Sequence, residues 1–459
     1  MSRRSLAFGV FSVLCLATTV LLPAQSAPPA GAPTYSKDVA PILYANCTSC
    51  HRAGQIAPMS LMNYAEVRPW ARSIAARVGA GSMPPWHAAA GVGEFENDRR
   101  LSVAEKDTIA RWVSAGAPEG VASDLPTPPK YAEGWTFGQP DAVLTMQEDY
   151  ALPPTGTIAY QYFEVPTSFT EDKWIQAYEV RPSNRAVVHH VIVYARPPAP
   201  AEPVAAPAGP RPTPVFTFAA GMQIPAGQTG GRPLPADQRV APGPNDRPAP
   251  RVLGPSLGGF VPGTPGRRYP LDTATRLVAG STLIFQMHYT TIGKATSDRT
   301  SIGLVFADKP PETELRGTAL VNGNFEIPPG AADHRVDAEM TFNRDVTLWS
   351  MLPHTHVRGK RWSYDVIYPD GRTETILSVP NYDFEWQTDY LFKRPLDLPK
   401  GTRLHATAWY DNSPANKSNP DATKTVWWGD QTWEEMMFTG LTYSVRPASG
   451  PASTSASAR

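Results

Sequence analysis

Short β-forming runs separated by chain-breaking residues dominate the sequence from about residue 136 onward. The runs "VVHHVIVYA", "STLIFQMHYT", "DVTLWSML", "RWSYDVIYP" and "TRLHATAWY" are rich in Val, Ile, Thr, Tyr and Trp, and Gly, Pro, Asn and Asp separate them. Such runs favour strands, and the breakers favour turns. Because no stretch here shows sustained helical periodicity, the pattern predicts all-β sandwiches for this part of the chain.

Length, proline content and charge set further limits. The chain has 459 residues, which suits roughly two to four domains, and its 50 prolines are typical of β-rich domains joined by long loops. Segment 196–266 is so crowded with Pro, Gly and Ala that we expect a largely disordered insertion in the first sandwich, and we expect a disordered tail at 449–459. The formal net charge of zero removes the electrostatic case for binding nucleic acid or an anionic membrane surface.

The N-terminal segment has the three parts of a secretory signal. Arg3 and Arg4 form a charged start, residues 6–22 form an apolar run, and "AQS" offers a cleavage site of small residues. We therefore predict a signal peptide at 1–26 and an exported protein, periplasmic or secreted; the alternative is an uncleaved anchor helix. No later stretch is long and apolar enough to span a bilayer, so we expect no stable membrane insertion.

The motif "CTSCH" indicates a covalently bound cofactor. C-x-x-C-H attaches c-type haem: the thiols of Cys47 and Cys50 bind the haem vinyl groups, and His51 becomes the proximal iron ligand. The alternatives are a redox dithiol, which belongs in a βαβ pattern, or half of a zinc site, which needs further Cys or His nearby. Neither context appears around the motif, so the sequence favours one c-type haem.

Helical patterns surround this motif. In "LSVAEKDTIARWVSAGAPEG", Ser102 and Glu105 have the spacing of a capping box. In "SKDVAPILYANC", Ser36 is the candidate N-cap. These segments predict a small all-α domain.

The second axial ligand of the haem has three candidates. Met83, in the proline-stiffened "GSMPPWH", is our choice; Met59 is only eight residues beyond His51, and His87 is the rival. A Met/His pair raises the haem potential, which suits electron transfer. Residues 33–122 resemble the small cytochrome c domains fused to other exported bacterial enzymes, and 123–135 is a proline-bearing linker.

Five of the nine histidines lie inside strand-like motifs of the β region: His189, His190, His288, His354 and His356. The last two are two residues apart, so on a strand their side chains share a face. The first two are adjacent and reach one metal only at a strand end or a bulge. Imidazole suits Zn, Cu, Fe and Ni, and a thioether selects copper(I). The methionine candidates, Met436 and Met437, are adjacent, so on a strand only one of them faces the histidines.

Four motifs in order, "HHVIVY", "QMHYTTIGK", "LPHTHVRGK" and "TWEEMMFTGLTY", resemble the copper motifs of the copper type II, ascorbate-dependent monooxygenases. That family includes dopamine β-monooxygenase and peptidylglycine α-hydroxylating monooxygenase. The resemblance covers roughly 140–448. It implies two successive jelly-roll sandwiches, which we place at 136–310 and 311–448, each holding one copper ion.

The resemblance also implies the roles of the candidate ligands. It implies an electron-transfer copper and a second copper where dioxygen reacts, bound respectively by His189, His190 and His288, and by His354, His356 and Met436. The expected reaction is hydroxylation of a C–H bond of a small organic substrate with dioxygen, the second electron coming from the distant three-histidine site. The fused haem would supply electrons in place of, or beside, an external ascorbate-like reductant or redox protein.

Two departures from the peptide enzyme concern the substrate. The positions whose arginine and tyrosine contact the peptide carboxylate are Leu352 and Gly440 in this chain, and the family's disulfides are absent. The copper chemistry therefore carries over in the resemblance, while peptide specificity does not. We expect a neutral or apolar substrate.

Other classes of function compete with this prediction. A non-catalytic exported haem/copper electron-transfer or copper-binding protein could keep the same fold. A copper nitrite reductase needs a cysteine thiolate at a blue-copper site, and no cysteine follows Cys50. A zinc hydrolase with three histidines and a water leaves the second histidine pair and the haem motif unexplained.

Overall fold

The computed structural model describes residues 31–446 except 56, 133, 199–221, 224–227, 229–246, 248–252 and 265. The predicted signal peptide 1–26, the predicted tail 449–459 and most of the predicted insertion 196–266 lie outside the described residues. The described chain is mostly β-sheet, with several sheets layered as in a β-sandwich and with few helices.

The helices all lie before residue 125 in the described chain. They are α1 (Ala40–Asn46), α2 (Tyr64–Val67), α3 (Ala71–Gly79) and α4 (Val103–Ser114), with a π-helical turn at Tyr35–Val39 and 3₁₀ turns at Arg68–Trp70 and Ala122–Asp124. One apolar cluster unites them, in which Leu43, Ile109 and Trp112 are fully buried. The helices therefore pack on one another around a core of their own.

The helix caps agree with the sequence in one case and differ in the other. The capping box is confirmed: Glu105 N donates to Ser102 Oγ (3.2 Å), and Ser102 N donates to the Glu105 carboxylate (2.7 Å). The prediction for Ser36 is wrong, because Thr34 caps this segment and its hydroxyl accepts from Lys37 N (3.4 Å). Thr34 has the extended backbone of an N-cap residue, whereas Ser36 already lies inside the helical turn.

The strands follow the helices. Those before residue 310 are β1 (Ala142–Thr145), β2 (Tyr150–Leu152), β3 (Gln161–Pro166), β4 (Lys173–Arg181), β5 (Val188–Arg196), β6 (Met222–Gln223), β7 (Ser256–Phe260), β8 (Arg267–Arg268), β9 (Thr273–Leu277), β10 (Thr282–Tyr289), β11 (Thr296–Asp298) and β12 (Ser301–Phe306). Those after residue 310 are β13 (Thr313–Val321), β14 (Glu326–Ile327), β15 (His334–Phe342), β16 (Val346–His354), β17 (Gly359–Ile367), β18 (Thr373–Val379), β19 (Tyr390–Leu398), β20 (Arg403–Tyr410), β21 (Val426–Trp427) and β22 (Phe438–Val445).

One long sheet runs through both parts of the β region. Its order is β1-β12-β4-β9-β13-β22-β16-β19, with β8 paired to β4, and the two parts join where β13 runs parallel to β9. A four-stranded sheet, β3-β10-β5-β7, shares an apolar core with its first part. A five-stranded sheet, β18-β17-β20-β15-β6, shares a second core with its other part. Alternating burial along β15 and β17 is the pattern expected for strands with one face on a core.

The C-terminal boundary that the sequence predicted for the insertion, residue 266, is wrong. Residues 256–260, "SLGGF", form β7, which pairs with β5, and Leu257 and Phe260 are buried in the first core. The glycines that suggested a loop are required by packing: a Cβ at Gly258 would lie 2.2 Å from the Tyr178 ring. A glycine in a strand can thus mark close packing rather than a break.

Residues 86–97 pack away from the helical core. Trp86 and Phe95 are buried in the core that underlies β16, β19 and β22. The backbone of this segment bonds to the β region as well, since Ala89 N donates to Ser378 O and Glu96 N donates to Leu391 O, both at 2.8 Å. The predicted range 33–122 therefore does not form a single packing unit.

The described helices are all too short or too polar to cross a bilayer.

Candidate metal centre

Three of the predicted histidines meet where two paired strands end. His189 and His190 lie at the start of β5, His288 lies next to the end of β10, and His190 and His288 are register partners. The register shifts between His288 and Tyr289, which is a bulge at this point. A strand end with a bulge is the setting in which adjacent histidines can reach one metal ion.

Their ring nitrogens face one another. His189 Nδ1 lies 3.0 Å from His190 Nδ1 and 3.2 Å from His288 Nδ1, and all three residues are buried. The candidate ligand atoms of the three rings lie within 4.8 Å of one another, which is compact enough for one metal ion. We call these three residues the histidine triad.

Each Nε2 of the triad has a partner on the outside. His189 Nε2 donates to Glu385 Oε2 (3.2 Å), His190 Nε2 lies 3.3 Å from Tyr160 Oη, and His288 Nε2 lies 3.2 Å from Thr432 Oγ1. Partners of this kind set the tautomer and orientation of metal-binding imidazoles. For His189, the carboxylate holds the proton on Nε2 and leaves the Nδ1 lone pair free.

The second predicted pair closes β16 and the turn after it. His354 is the last residue of β16, His356 follows in the turn, and their ring centroids are 5.2 Å apart. His354 Nδ1 donates to Gln387 Oε1 (2.8 Å), and His356 Nδ1 donates to Glu434 O (3.2 Å). Both Nε2 lone pairs are therefore free, and within the described residues the buried His356 Nε2 has no hydrogen-bond partner.

Burial lowers the pKa of four of these rings and so favours the neutral form that metal ligands need. Desolvation first, and neighbouring histidines second, hold the pKa values of His190 and His288 well below the ordinary range. Burial likewise lowers the pKa of His354 to about 4, against an opposing effect of its bond to Gln387, and lowers that of His356 strongly. Neutral imidazole is the form that binds metal ions.

The two histidine sets are adjacent, which corrects the expectation of a distant electron-transfer site. The ring centroids of His190 and His354 are 5.9 Å apart. Gln387 joins the sets, because its Nε2 donates to His190 Nδ1 (3.4 Å) while its Oε1 accepts from His354. The Tyr160 ring also contacts both, at 4.9 Å from His288 and 6.0 Å from His356. The short separation arises because the ends of β5 and β10 face the end of β16 across these two side chains.

Met436 is connected to the second pair through its chain neighbour Glu435. It follows the fully buried Glu435, whose carboxylate accepts from the backbone N–H of His356 (2.8 Å) and of Arg358 (2.7 Å). Met436 and Met437 are both buried, at 5% and 1% exposure, so burial alone does not separate them. Glu435 thus connects the segment that carries the methionines to the turn that carries His356.

Five residues at the centre are not among the site residues predicted from the sequence: Tyr160, Phe384, Glu385, Gln387 and Glu435. Phe384 stacks on the His189 ring with centroids 4.9 Å apart. Only Glu435 had a local signal, as a carboxylate directly before a candidate ligand. The other four lie on segments with no metal-binding spacing, and packing alone brings them here. His334 and His405 lie in the five-stranded sheet, outside the centre.

The "CTSCH" residues remain available for haem attachment. Cys47 and Cys50 are free thiols, and Cys47 packs against the helical core. Within the described chain, His51 Nδ1 is buried and makes no hydrogen bond within normal geometry. Two free thiols beside such a histidine fit the donor set of c-type haem.

The candidates for the other axial position differ in their surroundings. Met59 packs against the helical core, whereas Met83 is half-buried and its N–H donates to Arg77 O (3.3 Å). His87 lies in the segment that packs on the β region, where burial lowers its pKa against the opposing charge of Asp383. Because it packs on the β region instead of the helical core, His87 is a less suitable second axial ligand for the haem. Met83 stays a prediction for that position.

The "CTSCH" loop contacts the β region. A Cβ built on Gly263 would lie 2.7 Å from Cys50 Sγ, so this sulfur sits directly on the backbone three residues after β7. Thr48 Oγ1 lies 2.6 Å from Tyr131 Oη, and the Arg52 guanidinium stacks on the Tyr131 ring at 4.0 Å. Gly263 follows β7 by three residues, and β7 pairs with β5, the strand that carries His189 and His190.

Comparison with known proteins adds no assignment. No protein-family model matches the chain, and a search of curated proteins finds no match. A structure of infectious bursal disease virus Gx strain aligns at 12% identity over 68% of this chain and 74% of that chain, with a TM-score of 0.19. Allantoicase aligns at 7% identity over 57% of this chain and 80% of that chain, with a TM-score of 0.15. Scores this low carry no argument about fold or function.

Proposed function

We propose that this chain is an exported copper-dependent monooxygenase, similar to the copper type II, ascorbate-dependent family, with a fused cytochrome c domain. The observation that carries the proposal is the convergence of five buried histidines into one centre, from the ends of three strands and from the turn after β16. Nothing about a packed core requires five imidazoles in one place, because each polar nitrogen needs a partner.

The residues at the centre fit two copper ions. The triad would hold one ion through its converging Nδ1 atoms, and His354, His356 and Met436 would hold the other, with a thioether that favours copper(I). When bound, copper supplies the one-electron chemistry by which dioxygen hydroxylates a substrate C–H bond.

The chain's own residues position these ligands. Gln387 holds the proton on His354 Nδ1 and turns Nε2 toward the metal position. Glu435 fixes the turn around His356 through two backbone N–H groups and places Met436 next to it. Tyr160 fills the space between the two sets and excludes water from it.

The helical part would supply electrons. Cys47, Cys50 and His51 would hold one c-type haem, with Met83 as the second axial ligand. The contact of Cys50 with Gly263 supports transfer to the copper centre, because β7 and β5 lead from this contact to His190. An external reductant would reload the haem, and dioxygen and a small organic molecule would be the substrates.

Metal analysis and turnover test the proposal together. We expect one haem and two copper ions per chain, together with oxygen uptake coupled to hydroxylation of a substrate. His190→Ala and His354→Ala should each lose one copper ion and abolish turnover. His405→Ala is the matched control, since His405 pairs with Asp337 in the outer sheet (3.1 Å), and this variant should keep both ions.

Two outcomes would count against the enzyme. A chain that holds zinc in preference to copper would refute the metal assignment. Full copper loading without oxygen-dependent hydroxylation of any tested substrate would instead indicate a non-catalytic copper-binding or electron-transfer protein.

A further inference from the structure

A cavity of about 380 Å³ adjoins the metal centre. Its lining includes the segment around Asn97 and Arg99, strands β5, β7, β13, β16 and β22, and the segment 386–391. Of the five centre histidines, only His190 lines the cavity, and Gln387 lines it beside His190. A wall residue, Phe438, contacts the His354 ring with centroids 6.0 Å apart. The cavity therefore ends at the boundary between the two histidine sets.

The walls of the cavity are largely apolar and aromatic. The apolar and aromatic side chains that line it include Val191, Tyr194, Leu257, Phe260, Leu352 and Phe438. A cavity of this size and lining is typical of a site for a small organic molecule. Leu352 and Gly440 are register partners on adjacent strands, and both contribute to the wall.

The charged groups at the cavity are already engaged. Arg267 pairs with Asp389 (2.5 Å), so the two together are neutral. The Arg268 guanidinium lies on the Phe137 ring at 5.0 Å, and Arg99 donates to Gly263 O (3.0 Å). Of these three cations, Arg267 alone has an acidic partner, whereas the exposed Arg268 and the half-buried Arg99 have neutral partners and keep their charge.

One polar group lacks a partner. Within the described residues, Thr318 Oγ1 is buried and makes no hydrogen bond, and Thr318 lines the cavity. A buried hydroxyl of this kind is costly unless a ligand or water satisfies it. The Thr318 hydroxyl would donate to a carbonyl or hydroxyl oxygen of a ligand, or accept from a ligand hydroxyl.

From these observations we infer that the cavity binds an uncharged aromatic or alicyclic molecule that carries one hydroxyl or carbonyl group, which hydrogen-bonds to Thr318. Its role as the substrate site rests on the proposed function; the binding itself does not. The class is uncharged because the lining is largely apolar and the buried Thr318 hydroxyl needs a single hydrogen bond, and Leu352 and Gly440 lie together at the cavity edge.

Calorimetric titration of the full chain, as isolated, with 2-naphthol and 2-naphthoate tests this inference. The two probes share a ring system and differ in charge. We expect 2-naphthol to bind with a negative heat-capacity change, as burial of apolar surface requires, and at least about tenfold more tightly than 2-naphthoate.

Two variants locate the binding in the cavity. A Cβ at Gly440 would lie 3.4 Å from Leu352 Cβ, so the two methyl groups of Gly440→Val should fill part of the cavity and abolish 2-naphthol binding. The strand itself should tolerate the change, because valine favours β-strands. Leu352→Arg should weaken 2-naphthol by about tenfold and strengthen 2-naphthoate, because it places an unpaired charge on the wall. The matched control is Leu271→Arg, at a leucine that is 83% exposed and outside the lining, and it should change neither affinity.

Three results would overturn the inference: no binding of 2-naphthol, tighter binding of 2-naphthoate to the unaltered chain, or undiminished binding in Gly440→Val. Copper content and oxygen uptake, measured on the same samples, report on the proposed function separately. A chain that binds 2-naphthol yet holds no copper would support the cavity and refute the monooxygenase.

Discussion

Gln387 connects the two histidine sets, and replacing it tests how the centre is positioned. Its Oε1 accepts from His354 Nδ1 at 2.8 Å, and its side chain is buried with 3% exposure. Gln387→Leu keeps most of the volume and removes the acceptor. The His354 ring must then either bury an unpartnered N–H or move its proton to Nε2, which removes the lone pair that faces the metal position.

The size of the effect follows from these alternatives. A buried donor without a partner costs about 1–3 kcal/mol. Loss of a partner that orients a metal-binding histidine lowers affinity by about 10–100-fold, which corresponds to about 1.4–2.8 kcal/mol. The two ranges agree, so we expect copper(I) at the second site to bind about 10–100-fold more weakly, with the triad site changed much less.

Anaerobic competition of copper(I) against a chromophoric chelator measures both sites. Gln286→Leu is the matched control: Gln286 is also a buried glutamine, and it bonds to Tyr162 (2.6 Å) and Tyr194 (3.4 Å) rather than to a histidine. Both variants should lose similar stability in urea, and only Gln387→Leu should lose copper affinity. Equal copper affinities in the two variants would refute the positioning role of Gln387.

Three further predictions concern the methionines and the contact between the two parts of the chain. Met436→Ile should fold with a packing cost under about 1.5 kcal/mol and lose hydroxylation and second-site copper(I), whereas Met437→Leu should stay active; the reverse pattern would move the ligand to Met437. Met83→Ala should convert the ferric haem spectrum to high-spin, and an unchanged low-spin spectrum would exclude Met83 as a ligand. Gly263→Ala should slow reoxidation of the haem by the copper centre in stopped-flow spectra, because a Cβ there would collide with Cys50 Sγ at 2.7 Å. Its control is Gly371→Ala, at a glycine that also has a positive φ (88°, against 78° at Gly263) and therefore carries the same backbone cost of about 1–2 kcal/mol. A Cβ at Gly371 would meet no neighbouring atom. Equal reoxidation rates in the two variants would mean that electrons do not pass through the contact between Cys50 and Gly263.

Local patterns in the sequence were sufficient to predict a mostly β chain and to mark most of the candidate metal ligands. Strand runs and their breakers predicted a mostly β chain, because side-chain alternation and turn chemistry act over a few residues. The Ser102–Glu105 capping box was readable for the same reason. Histidine spacing marked His189 and His190 as a pair that needs a strand end or a bulge to converge, and the structure places them at the start of β5, with a bulge on the partner strand beside His288.

Long-range packing decided what those patterns could not express. The predicted end of the insertion was wrong where "SLGGF" forms β7. Glycine is needed at position 258 because the ring of Tyr178, a residue far away in the chain, packs directly against it. The predicted boundaries were wrong again at 86–97, whose aromatic residues fit a core made of strands some three hundred residues later in the chain.

The sequence by itself determined which residues are candidate ligands and the strand-forming runs that carry most of them. Only the tertiary structure decided that the two histidine sets lie side by side, with the rings of His190 and His354 5.9 Å apart. It also selected Gln387 and Tyr160 as the residues between them. The physical reason is that periodicity records which face of a strand is buried, whereas the distance between two strand ends depends on how whole sheets pack against each other.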